Sequence, residues 1–448
     1  MPTRRCLTCI LALAVVVVCQ IADAQVFERS RSVGGISIDT DGTLDNATLD
    51  DMGRLNKLRL EDIDQIPAEL AGATRLRKIS LRGLERAIQD CKANGQPLPD
   101  EIKYLAGLQQ IRYVFVYPER GDIVLVGPGE GWKVDGKGNV VGATTGRAVM
   151  LLDDLLVALR TAQQAARGGI SCSIDPTPEG LARLRRHVAS LRKMGNPQTT
   201  AAGIEQALGP QKISVHGVPG TSHFARVLVA ADYRMKRLAM KFDQSPLRGL
   251  PSFLDMIPAS GRGMNNMLPR WWLEPNYEPI VASPDGLAWE LRDGSVKCMT
   301  EADFVAASGQ KQVGAAKANP MAKRWADNMT ENYDELAAAQ PIFAQLRNCM
   351  EMAIVAALIA KERLPERAGY SMPALLDPAE VAVDAMPAPR QVDSKVSMVR
   401  KRGGWVISAS GGVMLNSWQV ADQTTQDTAP AEVRAQSAAQ QPTNWWWN

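Results

Sequence analysis

The chain has 448 residues, of which 45% are hydrophobic and 22% charged, with a formal net charge of +3. That length suits two or three cores of ordinary size, and the composition is that of a folded soluble protein. The near-neutral balance excludes the electrostatic footprint of a nucleic-acid binder.

Residues 1–24 have the three parts of a secretory signal: Arg4 and Arg5, an apolar run from Leu7 to Val18, and a small-x-small site at Ala22, Asp23 and Ala24. A cut is expected after Ala24, which predicts export to the periplasm or beyond the cell. Beyond it no segment reads as the roughly 20 apolar residues of a membrane helix. Cys6, Cys9 and Cys19 leave with the signal. Cys91, Cys172, Cys298 and Cys349 remain, too far apart in sequence for a zinc pattern. An oxidising compartment permits disulfides among them, and four separate buried thiols fit equally well.

Residues 34–48 read strand, turn, strand, with Ile36 and Ile38 alternating before Asp41-Gly42. Leu81, Leu84, Ala87 and Ile88 have helical spacing, stopped by Asn94-Gly95. The runs at 111–117 and 123–126 are the clearest strands and predict a hairpin, followed by another across 132–141. Val149, Leu152, Leu156, Leu159 and Ala162 predict a long helix ended by Gly168-Gly169, where a domain boundary is expected.

Strand-helix units follow. A strand at 170–174 leads to a helix bearing Leu181, Leu184, Val188 and Leu191. A strand at 212–216 leads to a helix capped by Thr221 or Ser222. Further strands are expected at 279–282 and 287–297. The most apolar helix spans 341–361, and its apolar stretch reads as too short for a bilayer, which predicts a buried core helix. Five prolines make 365–398 an extended crossing segment, a last hairpin is expected around Gly411-Gly412, and the polar composition from 421 onward predicts a disordered tail. The fold class is thus mixed α/β (α+β), with several hairpins and packed helices. The expected division is 25–167, 168–305, 306–364, 365–398, 399–420 and 421–448.

Asp39 and Asp41, in Asp39-Thr40-Asp41-Gly42-Thr43-Leu44, resemble the first motif of haloacid-dehalogenase-type phosphatases, with a nucleophile and an acid/base two residues apart. The other reading is a hairpin turn. It gains from two echoes, Gly138-Asn139-Val140 with Thr144 and Gly294-Ser295-Val296 with Thr300, each following an aspartate. The glycine spacing does not suit a calcium loop. Gly220, Thr221, Ser222 and His223 join a strand to a helix, so their amides form a candidate anion site, with Asp232 and Lys236 further along. The alternative there is a structural cap. His187 reads as solvated on a basic face, and Ser190 to Lys193 lacks the partner motifs of a penicillin-binding protein. Trp132, Trp271, Trp272 and Trp289 are candidates for a sugar-stacking surface or for core, and Trp445, Trp446 and Trp447 for docking a partner or a membrane interface.

Several runs are familiar together: 34–39, 171–180 (Ser-Cys-Ser-Ile-Asp-Pro-Thr-Pro-Glu-Gly), 231–236 (Ala-Asp-Tyr-Arg-Met-Lys), 283–289 and 332–336. The chain resembles an uncharacterised family of exported bacterial proteins, a domain of unknown function, over most of its mature length except the tail. The resemblance implies no activity and supplies no catalytic residue. A secreted or envelope-associated binding or structural protein is expected, without metal or cofactor, whose partner is an envelope component or another protein. An envelope hydrolase using Asp39 and Asp41 is the alternative.

Overall fold

Helix Pro341–Lys361 is apolar on every side, and the fold is arranged to bury it. In the computed structural model, which describes residues 36–38, 42–46, 66–135, 138–191, 196–257, 269–300, 320–397, 410–438 and 445–448, this helix is long and apolar enough to cross a membrane by length and composition. The expectation that it is too short is therefore corrected. Its role as a core helix stands on burial, since 89% of its most apolar window lies inside the protein.

The longer helices are α1 (Leu81–Ala93), α2 (Leu152–Gly168), α3 (Pro178–Ser190), α4 (Pro197–Leu208), α5 (His223–Ala239), α6 (Pro320–Glu331), α7 (Tyr333–Ala339), α8 (Pro341–Lys361) and α9 (Ala429–Ala438). The strands are β1 (Ile36–Ile38), β2 (Thr43–Asn46), β3 (Thr74–Ser80), β4 (Tyr113–Tyr117), β5 (Asp122–Gly129), β6 (Trp132–Val134), β7 (Val140–Gly142), β8 (Ile170–Pro176), β9 (Gln211–His216), β10 (Arg270–Asn276), β11 (Ile280–Ala282), β12 (Ala288–Glu290), β13 (Ser295–Thr300), β14 (Gln391–Val392), β15 (Ser410–Leu415) and β16 (Thr424–Gln426). The fold is α+β with packed helices. One sheet has the order β1-β2-β14-β9-β8-β15-β10-β13, a second β16-β11-β12-β4-β5-β3, and β6 pairs with β7. Both large sheets draw strands from either side of Gly168-Gly169, where α2 ends.

Helix α8 packs against α2 and α5, and α5 lies across β8, β9, β10 and β15. The apolar run 113–117 is continuous because β4 is buried on both faces. Val114 and Val116 enter the main core, while Phe115 and Tyr117 join Val124, Val126 and Ala288 on the outer face.

That outer face explains an unexpected feature of the tail. The composition from 421 predicts disorder, yet β16 pairs with β11, and α9 lays Val433 and Ala438 over the Phe115 cluster. Arg434 donates from Nε to the Val116 carbonyl at 2.8 Å and lies 5.0 Å from the Tyr117 ring centre. Long-range docking supplies what the local sequence lacks.

Gly411-Gly412 also departs from expectation. The pair lies inside β15, between β8 and β10, rather than at a hairpin turn. A Cβ on Gly411 would come within 1.5 Å of the Trp271 carbonyl oxygen, and one on Gly412 within 1.8 Å of that of Cys172. Glycine is required here for close backbone approach, not for reversal.

Candidate functional site

Asp39 and Asp41 lie outside the described residues. Their flanks form a hairpin: β1 pairs antiparallel with β2, with Ile38 opposite Leu44, and Gly42 takes φ +78°. The Gly42 carbonyl then accepts from Arg390 N at 2.8 Å, which leads β14 in beside β2. The echo at Gly138 has the same left-handed glycine and opens β7. At the third, the left-handed residue is Asp293 rather than Gly294, and the chain crosses from β12 in one sheet to β13 in the other.

The Gly220 to His223 run divides at the start of α5. Gly220 and Thr221 are exposed, and their carbonyls accept from Ala388 N and Met386 N of the proline-rich crossing segment. Ser222 is buried and caps the helix: its Oγ accepts from Ala225 N at 3.1 Å and donates to the Pro219 carbonyl at 2.7 Å. His223 turns inward, with Nδ1 at 2.8 Å from Asp154 Oδ2 on α2. The carboxylate fixes the imidazole with its proton on Nδ1, the arrangement of an acid-histidine dyad. Cys349 on α8 shares the same carboxylate. Burial first, and then Asp154, push its thiol up, opposite to what a nucleophilic thiolate needs. Three helices thus meet at one polar knot.

Three turns into α5 lies a second knot. Lys236 Nζ donates to Asp232 Oδ2 at 2.8 Å, to the Ile174 carbonyl of β8 at 3.0 Å and to the Gly411 carbonyl of β15 at 3.1 Å. All three ammonium protons have an oxygen. Asp232 is wholly buried, and desolvation outweighs Lys236, so its carboxyl is pushed up to about 6. Its Oδ1 has no hydrogen-bond partner among the described residues. The spacing of this acid–base pair is visible in the sequence; its depth beneath the sheet is not.

Other buried acids hold backbone. Glu85 accepts from Leu375 N at 3.0 Å, from Ala374 N and from Tyr370 Oη at 2.7 Å. Asp122 accepts from Ser80 Oγ at 2.6 Å and Arg82 N at 3.2 Å at the start of α1. Glu130 accepts from Thr145 N and Gln109 Nε2, both at 2.9 Å. Glu351, inside α8, accepts from Ile111 N and from Tyr277 Oη at 3.4 Å; burial, opposed by these donors, pushes it up to about 7.

The remaining sequence candidates resolve simply. Trp132, Trp271, Trp272 and Trp289 are core. His187 is half-buried rather than solvated, with Nε2 beside Gly203 of α4 and unpartnered among the described residues. Cys91, Cys172, Cys298 and Cys349 are four separate thiols.

The last site was visible only as three tryptophans. Strand β3, the edge of the six-stranded sheet, carries residues 445–448 along its open side. Lys78 N donates to the Asn448 carbonyl at 3.0 Å, Asn448 N to the Lys78 carbonyl at 3.1 Å, and Ser80 N to the Trp446 carbonyl at 2.8 Å. Trp446 and Trp447 pack against the main core and Trp445 against the Phe115 cluster. A pocket of about 300 Å³ continues along the edge, lined by Thr74, Arg75, Leu76, Lys78 and Asn448.

Residues 172–253 match the family model described as a protein of unknown function (DUF1598). That segment runs from within β8 through α5 and carries the α5 members of both polar knots, Ser222, His223, Asp232 and Lys236, in keeping with the resemblance to an uncharacterised family. No curated protein and no solved structure matches the chain.

Proposed function

We propose that this chain works by binding, as a secreted or envelope-associated structural or binding protein, rather than by catalysis. The observation that carries the reading is the use made of its chemistry-bearing side chains. Asp154, His223, Asp232, Lys236, Glu85, Asp122, Glu130 and Glu351 are buried and hold one another, helix starts and strand carbonyls. The antiparallel pairing of the flanking strands β1 and β2 supports the turn reading of Asp39 and Asp41 over the strand-end setting of a phosphatase nucleophile. The signal-like residues 1–24 support export. The partner is then an envelope polymer or an envelope protein.

The test pairs two assays on the mature full chain. Titration calorimetry against envelope polysaccharides and envelope extracts is expected to show saturable binding. A magnesium-dependent phosphatase screen is expected to show no turnover above that of Asp39→Asn. Turnover lost in Asp39→Asn and retained in the wild-type chain would replace this reading with the hydrolase.

A further inference from the structure

A sheet edge with an extended segment laid along it is the geometry of β-strand addition, in which main-chain hydrogen bonds supply affinity and side-chain pockets supply selectivity. Edge β3 shows each component. Its backbone at Lys78 and Ser80 makes three hydrogen bonds to Trp446 and Asn448, and an antiparallel bridge sets Ile79 opposite Trp447. The indoles of Trp446 and Trp447 meet edge to face at 6.2 Å.

Selectivity has a specific residue. Gly83, in the first turn of α1, lies directly under the segment. A Cβ there would come within 2.3 Å of the Trp445 carbonyl oxygen and 2.8 Å of Trp446 Cα. Glycine inside a helix costs about 1 kcal/mol relative to alanine, so the helix itself gains nothing from Gly83. The gain is the channel it leaves for the tryptophan backbone.

The resident segment covers only part of the edge, with the stretch around Leu76 open beside it as the pocket and Leu76 37% exposed. The segment is held by main-chain pairing and by its indoles, and an identical element from another protomer fits identically.

We propose that β3 and the start of α1 form a peptide-recognition groove for the Trp445–Asn448 sequence, and that the groove accepts this segment from a second copy of the chain as well as from its own. The inference goes beyond the binding reading above and does not depend on export.

A fluorescein-labelled peptide bearing the Trp445–Asn448 sequence tests it by anisotropy. A chain truncated before Trp445 should bind the peptide saturably, and the full chain about tenfold or more weakly because its own segment competes. Gly83→Ala in the truncated chain should abolish binding while its circular dichroism and melting temperature are kept or raised. The full chain should show a concentration-dependent dimer by sedimentation, lost in Gly83→Ala. Three results overturn the proposal: no peptide binding by a truncated chain with native circular dichroism, equal binding by its Gly83→Ala form, or a full chain monomeric at every concentration. If truncation prevents folding, Gly83→Ala in the full chain decides: acrylamide quenching of tryptophan emission should rise, and unchanged quenching overturns the proposal.

Discussion

Helix α5 carries two polar knots that solve the burial problem in opposite ways. At its start, Ser222 caps the helix and ties back to the Pro219 carbonyl, His223 meets Asp154, and the loop above them reaches the surface. In its middle, Asp232 and Lys236 form an ion pair beneath the sheet, with one carboxylate oxygen unpartnered among the described residues. The first knot fixes where the helix begins. The second is costly to desolvate and ties two strands, β8 and β15, that lie far apart in sequence.

The largest effect should come from breaking the second knot. Lys236→Met leaves Asp232 buried without its cation and takes the ammonium away from two strand carbonyls, and should cost about 3–5 kcal/mol in urea unfolding. Because Asp232 can escape by taking a proton, the loss should be greater at pH 8 than at pH 5. Replacing both partners, with Asp232→Leu and Lys236→Met, should recover most of it. If the single and double variants are equally unstable, the pair is not acting as a pair.

Glu351 sharpens the comparison, since it is buried like Asp232 yet met mainly by neutral donors. Its folded-state pKa, about 7, is raised above the ordinary 4.5. A raised carboxylate binds its proton more tightly when folded, so it imposes no penalty below about 4.5, and stability is lost as the pH rises to 7. Glu351→Gln should therefore gain on the wild-type chain across that window, by an amount on the order of 3 kcal/mol. Unfolding of both proteins at pH 4.5 and pH 8 measures it. A difference independent of pH would remove Glu351 as the source.

The two knots also mark how far the sequence can be read. Ser222 as a cap, the strands β4 and β5 and the helix α5 are set by neighbours within a few residues, and local pattern finds them. Strand β3 is hidden because Arg77 and Lys78 break its apolar alternation, although both are buried. Gly411-Gly412 is ambiguous in isolation: a turn and a close strand crossing both need glycine, and only Trp271 and Cys172, far away in the chain, decide between them. The order of the tail and the depth of Asp232 have the same origin, because each depends on which surfaces the rest of the fold brings to it.

The smallest effect belongs to the first knot and isolates what it does. Ser222→Ala removes both the acceptor for Ala225 N and the donor to the Pro219 carbonyl, and should cost about 1 kcal/mol, the usual worth of an N-cap. Ser222→Asp keeps an acceptor for the helix amide, adds a favourable charge at the helix start and loses only the tie to Pro219. If the knot serves to start the helix, Ser222→Asp should be close to wild type in stability, with hydrogen exchange at Ala225 unchanged. If it serves to hold the loop, Ser222→Asp should fall with Ser222→Ala, and exchange should quicken first at Met386 and Ala388, whose amides donate to the loop carbonyls. The first outcome is expected, because the His223 to Asp154 contact fixes the inner side of the loop whichever residue caps the helix.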